Sequence, residues 1–463
     1  MPPPNITGKL HMGHALFTTL QDISIRFARS QGKAALWLPG TDHAGLATQS
    51  KLDQLMLDQG LDPKGPAFDE FAEAYKANLS GEINQQIRRT GASCDWSRYT
   101  FTLDKSYSDA VIEALRRIHE QGLLYTADNQ WYIDIRGAAA DLTCRKNSGE
   151  LRIIPEHSGK TLDHFLDNIE PWCISRQIRW GHKLPIWTRD GEIFIGEEGP
   201  EGFIREEGCL DTWFSSALWP FATLGWPHDT PDMRKFYPAA MIETADDILF
   251  FWCARMLMMG LLLTKQMPFK TIYLHGIMRD KNGEKMSKSL GNGIDPLEII
   301  EQYGCDGMRF ALAEATQPGL DMRMWDDKFQ AGKRMATKLW NAAKFAQMHL
   351  EKIGEPTGHP SKHERDMALI GLLRERQGHL KTLYADYQYS KAALACHATL
   401  FDDFCGSYIE DIKERIFAGD EEALGTLLDG LRMILEMIHP IMPFISESIW
   451  QRFLPGMLIS QRW

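Results

Sequence analysis

The chain opens MPPPNITGKLHMGH, and no other stretch restricts the fold as much. Proline fixes φ and offers no backbone N–H, so Pro2–Pro4 cannot sit inside a helix or in the middle of a sheet. The stretch reads as the end of a strand whose body is missing, then a tight loop, then a helix start at His11–His14. Directly behind it Leu16, Leu20, Ile23 and Phe27 recur at helical spacing until Gly32 stops the run. AALWLPG then reads as a short buried strand closed by a breaker. Strand, loop, helix and strand in that order predict a parallel α/β sheet.

Further along, Asp69 to Gly122 reads as helical, while QWYIDI and ELRIIPE return to extended patterning. A second α/β section follows: helix DDILFFWCARMLMMG, strand TIYLHGI, a polar loop and helix DPLEIIEQYG. From about Asp327 the pattern is almost wholly helical, through LWNAAKFAQMHL, ALIGLLRERQGHLKTL and LLDGLRMILEMIHPIMPFISESIW. No repeat or low-complexity tract interrupts it. The expected architecture is a split α/β domain followed by a helical bundle.

Composition excludes several classes. The longest apolar run, ILFFWCARMLMMGLLL, is broken by Arg255 and falls short of the roughly 18 residues a membrane span needs, so it reads as a buried helix. Met1 is followed by prolines rather than a basic and an apolar region, which does not make a signal peptide. The eight cysteines are scattered without a C-x-x-C pair, supporting neither a zinc ribbon nor a disulfide framework and fitting a reducing cytoplasm. The net charge of −11 argues against a uniformly basic nucleic-acid coat but leaves room for a local basic groove.

Two motifs point to chemistry. HMGH, His11 to His14, opens a helix, where free backbone N–H groups and the positive dipole end favour phosphate. Two histidines one turn apart could add hydrogen bonds to a polyphosphate, and Gly13 would let a base approach the backbone. On its own the motif fits a helix cap with two surface histidines equally well. KMSKS, Lys285 to Ser289, lies in a polar loop between a strand and a helix. Its two lysines could fold over a triphosphate and neutralise charge as pyrophosphate leaves. Such a loop alone is ordinarily just solvated. The pair in this order, about 270 residues apart, is far more specific.

The two motifs resemble the HIGH and KMSKS signatures of class I aminoacyl-tRNA synthetases. Longer stretches are similar to the valyl branch: PPPNITGKLHMGHAL, LPGTDHAGLATQ, WCISRQIRWGHKLPIW, LDTWFSSALWPFATLGWP, DILFFWCARMLMM, YLHGIMRDKNGEKMSKSLGN and HPIMPFISESIW. The resemblance covers most of the chain. It implies a Rossmann-like catalytic domain in halves 1–125 and 211–326, a shortened connective insertion at 126–210, and an anticodon-binding-like bundle at 327–463. It implies ATP with Mg2+ and no zinc, a valine-like amino acid and tRNA as partners, a cytoplasmic monomer and no membrane. It implies that His11, Gly13, His14, His275, Gly276, Lys285, Met286, Ser287, Lys288 and Ser289 hold ATP. His11, His14, Lys285 and Lys288 would do the catalytic work, and Asp42 would receive the amino group. Pro4, Asn5, Trp213, Ile248 and Trp252 would shape the pocket, with Asp247 beside it. Rigid indole walls would exclude larger side chains.

The departures matter as much. The family carries an extension ahead of PPPN, so the start at Met1 reads as mis-set or truncated. ETADDILFFW has Ala245 and Asp246 where the family has glycine and an aromatic residue, and the extra carboxylate could alter amino-acid preference. The resemblance to the family's coiled-coil arm is not found before Trp463, so a chain working without that arm is the expectation. GLLY runs through TADN almost directly into QWYIDI, where the family inserts an editing domain. After LPIW, TRDGEIFIGEEGPEGFIREEGC reads as a polar hairpin in place of a zinc ribbon. Two functions therefore compete: a compact ligase charging valine or a similar amino acid onto tRNA, and a paralogue delivering an adenylated amino acid to a biosynthetic acceptor.

Overall fold

The computed structural model describes residues 1–286, 293–356 and 361–463, so Ser287, Lys288 and Ser289 lie outside the described residues. The chain forms two compact units. The first comprises Met1–Lys9, Leu36–Gln85 and Cys94–Gly276, and the second Leu10–Ala35, Gln86–Ser93 and Ile277–Trp463.

The first unit is built on parallel pairing. Thr271–His275 runs between Ile242–Ala245 and Arg152–Ile154, parallel to both. All five residues of this middle strand are buried, as expected for a parallel strand covered on both faces. A second parallel pair joins Gly40–Thr41 to Thr100–Phe101. The opening loop lies along its end. Asp42 N–H donates to the Pro4 carbonyl at 2.9 Å, and Ile6 N–H donates to the Asp42 carbonyl at 3.1 Å. Proline can accept but not donate, so the bond given to Asp42 comes from Ile6, past the prolines.

Two expectations shift. AALWLPG, residues 34–40, forms no strand until its last residue; the strand is Gly40–Thr41, directly after Pro39, which has no N–H to give a ladder. The Asp69–Gly122 region is two helices, Phe68–Arg89 and Lys105–Glu120, separated by the segment that supplies strand Thr100–Phe101. Gly91, at φ +85°, turns the chain out of the first helix, and the Asp95 side chain accepts from Ser97 N–H to organise the next turn.

Antiparallel hairpins complete this unit. Leu124–Ala127 pairs with Gln130–Ile133 through a two-residue turn, Asp128–Asn129, with φ of 51° and 59°. Two left-handed residues are what a tight turn between right-twisted strands requires, and Asp and Asn tolerate that region best after glycine. The polar hairpin expected after LPIW forms as Ile186–Arg189 against Glu192–Ile195, turning at Asp190–Gly191.

The apolar run near 250 is a buried helix, as expected. It opens with a 3-10 turn at Asp246–Ile248, widens to a π-helical stretch at Leu249–Ala254 and continues as Arg255–Thr264. By length and composition it could cross a membrane. Instead Trp252, Met256, Leu257 and Met259 are core residues, and Arg255 pairs with Asp211.

The second unit is mainly helical, from Asp326–Ile353 through Glu364–Ala385 and Glu421–Ile438 to Pro443–Phe453. It also holds Met12–Ser30, the helix that HMGH opens. That helix is anchored by an ionic cluster. Asp22 accepts from Arg26 and Arg309, both at 2.7 Å, and Arg309 also donates to the carbonyls of Thr90, Pro440 and Ile441. Asp22 is fully buried, yet the two guanidiniums and Ser93 hold its pKa down to about 2. Removing either partner would leave a buried charge uncompensated, which makes the cluster a fixed anchor for the helix.

Candidate active site

The candidate residues divide between the units. Pro4, Asn5, Asp42, Trp213, Asp247, Ile248, Trp252, His275 and Gly276 belong to the first; His11, Gly13, His14, Lys285 and Met286 belong to the second.

In the second unit the histidines cap their own helix. His11 is the N-cap residue, and its Nδ1 accepts from Gly13 N–H at 3.1 Å. His14 reaches back, its Nδ1 accepting from His11 N–H at 3.2 Å. The ring centroids are 4.0 Å apart. A neutral imidazole that accepts at Nδ1 carries its proton at Nε2. The capping box therefore sets both rings in the tautomer that donates away from the backbone, beside a helix N-terminus with no acidic residue in its first turn. That arrangement suits phosphate oxygens. Lys285 is exposed, its backbone bridged to Arg279, and Met286 N–H donates to the Met278 carbonyl at 3.2 Å.

In the first unit Asp42 follows strand Gly40–Thr41 and is buried. Its Oδ1 accepts from Ala44 N–H at 2.7 Å and its Oδ2 from Ser216 Oγ at 2.5 Å. Burial raises the carboxyl to about 6, against the pull of these two hydrogen bonds and with added repulsion from Asp211. The Ser216 carbonyl accepts from Trp252 Nε1 at 3.1 Å, so one serine links the carboxylate to a buried indole. Trp213 is half-buried on helix Thr212–Ser216 and stacks on Phe251. Asp247 is exposed and Ile248 half-buried at the start of the widened helix, while Asn5 is exposed and Pro4 buried. His275 ends the middle strand, its Nδ1 against the Glu243 carboxylate, and Gly276 behind it is buried.

Sequence reading missed Ser216 and Glu243. One serine among several, and one acid in a strand, carry no local signal. It also missed His43, buried beside Asp42. The His43 Nδ1 lies 2.8 Å from Thr102 Oγ1, and burial lowers its pKa to about 3. Among the described residues no three His, Cys, Asp or Glu side chains converge on a metal position.

A family model described as tRNA synthetases class I (I, L, M and V) matches residues 1–129, 124–199 and 192–325. The chain belongs to that family. A second model, the anticodon-binding domain of tRNA ligase, matches residues 366–463 of this synthetase. A valine--tRNA ligase of Carboxydothermus hydrogenoformans is 30% identical over 657 positions, covering 98% of this chain and 74% of the relative. Among solved structures, Mycobacterium tuberculosis methionyl-tRNA synthetase in complex with methionyl-adenylate superposes with a TM-score of 0.78 at 20% identity, covering 97% of this chain and 92% of the other. An Agrobacterium radiobacter K84 LeuRS–tRNA–LeuAMS ternary complex superposes at 0.79 with 14% identity, covering 100% and 86%. The fold is that of the Rossmann-like class I synthetase catalytic domain followed by a helical anticodon-binding domain. The chain is an aminoacyl-tRNA ligase, of a class that uses ATP, an amino acid and tRNA.

The raised carboxyl of Asp42 gives this ligase a testable pH profile. An ammonium group pairs with the carboxylate form only. If Asp42 receives the amino group of the substrate, the KM for the amino acid is expected to stay level above about pH 6 and to rise about tenfold per unit as pH falls below it. Pyrophosphate exchange measured across pH 5–8 checks this, and a KM level throughout would remove Asp42 from amino-acid binding.

Proposed function

We propose that this synthetase activates valine, or a similarly small branched amino acid, as its adenylate and transfers it to tRNA without an editing module in cis. The observation that carries the substrate half is the Asp42–Ser216–Trp252 arrangement, a buried carboxylate tied to an indole wall with Trp213 and Ile248 close in the sequence to its partners. Asp42 would receive the ammonium group. Nε2–H of His11 and His14 would donate to ATP phosphates, and Lys285 and Lys288 would neutralise the departing pyrophosphate. Mg2+ would accompany the triphosphate as its counter-ion. Met286, Ser287, Ser289, His275 and Gly276 would complete the nucleotide site, and Gly13 would admit the base. Pro4, Asn5 and Asp247 would border the amino-acid pocket. The chain would work as a cytoplasmic monomer, in the domain order 1–125, 126–210, 211–326 and 327–463.

Two facts support the missing module. The turn at Asp128–Asn129 joins its strands with two residues. The match to the valine--tRNA ligase runs over 657 positions against a chain of 463 residues, so roughly two hundred positions have no residue of this chain opposite them. The same facts favour the second reading, in which the activated amino acid serves a biosynthetic acceptor. Amino-acid-dependent ATP–pyrophosphate exchange followed by charging of total tRNA separates the two. Valine-dependent exchange with charging supports the first; exchange without charging supports the second; no exchange with any amino acid sinks both.

Accuracy supplies a further expected result. A hydrophobic pocket built for valine discriminates against isosteric threonine by only about 10^2-fold, a figure known for valine-activating enzymes rather than obtained from this chain. Without an editing module, threonine charged onto tRNA should persist. Incubating Thr-tRNA with the enzyme should leave deacylation at the no-enzyme rate, and rapid threonine-selective deacylation would reveal an editing site in this chain.

A further inference from the structure

Two strands of the parallel sheet in the first unit share a buried acid–base pair. Glu243 lies on strand Ile242–Ala245, and His275 ends the neighbouring middle strand. The register sets Ala245 opposite His275 and Glu243 opposite Tyr273. Glu243 and His275 therefore share one face of the sheet and meet on the diagonal. The His275 Nδ1 lies against the Glu243 Oε1 within hydrogen-bond reach. Glu243 is 1% exposed and His275 5%. Burial first, and then the Glu243 carboxylate, push the Cys253 thiol and the Tyr273 hydroxyl up, so both stay neutral beside it. A carboxylate taken into a sheet core costs free energy that an apolar side chain of similar size would not. Ile272 and Leu274, on the other face, are the packing residues a covered parallel strand calls for. Glu243 is no such residue, and its effect falls on His275.

A carboxylate can only accept, so the pair puts the proton of the neutral imidazole on Nδ1 and leaves Nε2 as an acceptor. His11 and His14 are set the other way, since their Nδ1 atoms accept from backbone N–H groups and their Nε2 atoms donate. A donor at Nε2 suits phosphate oxygens. An acceptor at Nε2 suits an O–H or N–H group, which in ATP only the nucleoside supplies, through its ribose hydroxyls and its adenine amino group. His275 stands at the carboxyl end of the middle strand, the end at which open parallel sheets bind their ligands.

We infer that Glu243 is a positioning residue for the nucleoside half of ATP: it fixes the His275 ring with Nε2 as the acceptor for a nucleoside O–H or N–H donor. The inference rests on the proposed place of His275 in the nucleotide site.

Glu243→Gln keeps the size of the side chain and releases the tautomer, because an amide can accept from Nδ1 or donate to it. It should raise the KM for ATP in pyrophosphate exchange about 10- to 100-fold, the range for losing the partner that orients a liganding histidine, with kcat and the amino-acid KM within about twofold of the parent. In a His275→Ala background the same substitution should change nothing further, because the residue through which it acts is gone. A merely structural Glu243 would cost as much in that background as in the parent. Equilibrium binding of 2′-deoxy-ATP, 3′-deoxy-ATP and purine-riboside triphosphate, which lack in turn each hydroxyl and the amino group, identifies the donor. One of them should bind the parent about tenfold more weakly than ATP, and both Glu243→Gln and His275→Ala should shrink that gap. An unchanged ATP KM in Glu243→Gln would overturn the inference, as would a penalty that adds in full to that of His275→Ala. So would a parent that binds all three analogues as tightly as ATP, a result that needs no variant to fold. An unchanged ATP KM in His275→Ala would remove His275 from the nucleotide site, and the inference would fall with that reading. Analogue binding is read without catalysis, so a parent lacking exchange would sink the proposed function and still leave Glu243 tested.

Discussion

Replacing Asp42 with Asn is expected to raise the KM for the amino acid about 10^2- to 10^4-fold while ATP still binds. The substitution keeps the shape of the side chain. Its amide oxygen can still accept from Ala44 N–H, now at 2.7 Å, so the start of helix Gly45–Asp58 survives. What goes is the charge. A substrate ammonium drawn into a buried site would then lack its counter-ion, and breaking such a pair on one side costs about 3–5 kcal/mol. Ser216 Oγ, which donates to Oδ2, would face either an amide oxygen or an amide nitrogen. The measurement is the amino-acid KM in pyrophosphate exchange beside an independent ATP titration. Loss of ATP binding would show instead that the Asp42 carboxylate is structural, acting through its bonds to Ala44 and Ser216, with no part in substrate recognition.

Lys288→Ala is expected to slow adenylation about 10^2-fold or more with little change in amino-acid affinity. Lys288 lies outside the described residues, and the expectation rests on its place in KMSKS. Charge builds on the β- and γ-phosphates as the bond to the α-phosphorus breaks. A cation placed to meet that charge stabilises the transition state more than bound ATP, so its loss appears in the rate rather than in substrate binding. Single-turnover adenylate formation separates the two quantities. Equal rates for variant and parent would take Lys288 out of the mechanism.

How legible the site was depended on the reach of each signal. The helix behind HMGH was plain because Leu16, Leu20, Ile23 and Phe27 repeat within one turn of each other, and that helix forms as Met12–Ser30. The polar hairpin after LPIW was plain because Asp190–Gly191 is a turn pair. AALWLPG misled because an apolar run is equally a buried connection without a ladder, and only its last residue, Gly40, enters a strand. The Asp69–Gly122 stretch misled because helical residues flank a short strand whose partner, Gly40–Thr41, lies 60 residues earlier.

The sequence by itself determined the family motifs, the order of α/β and helical parts, the helix start that presents His11 and His14, and the close succession of GLLY and QWYIDI. All of these are set by neighbours within a few residues, through side-chain period, proline and turn chemistry. Only the tertiary structure decided which side chains share a site. Ser216 lies 174 residues from Asp42, and nothing local marks it as the donor to that carboxylate. Asp22 is held at a low pKa by Arg26 on its own helix and, from distant segments, by Arg309 and Ser93, whose arrival no local pattern announces. Glu243 meets His275 only because strands Ile242–Ala245 and Thr271–His275 lie side by side. A pattern along the chain records what each segment can become. Burial, which raises the carboxyl of Asp42 and lowers the pKa of His43, is a property of everything packed around them.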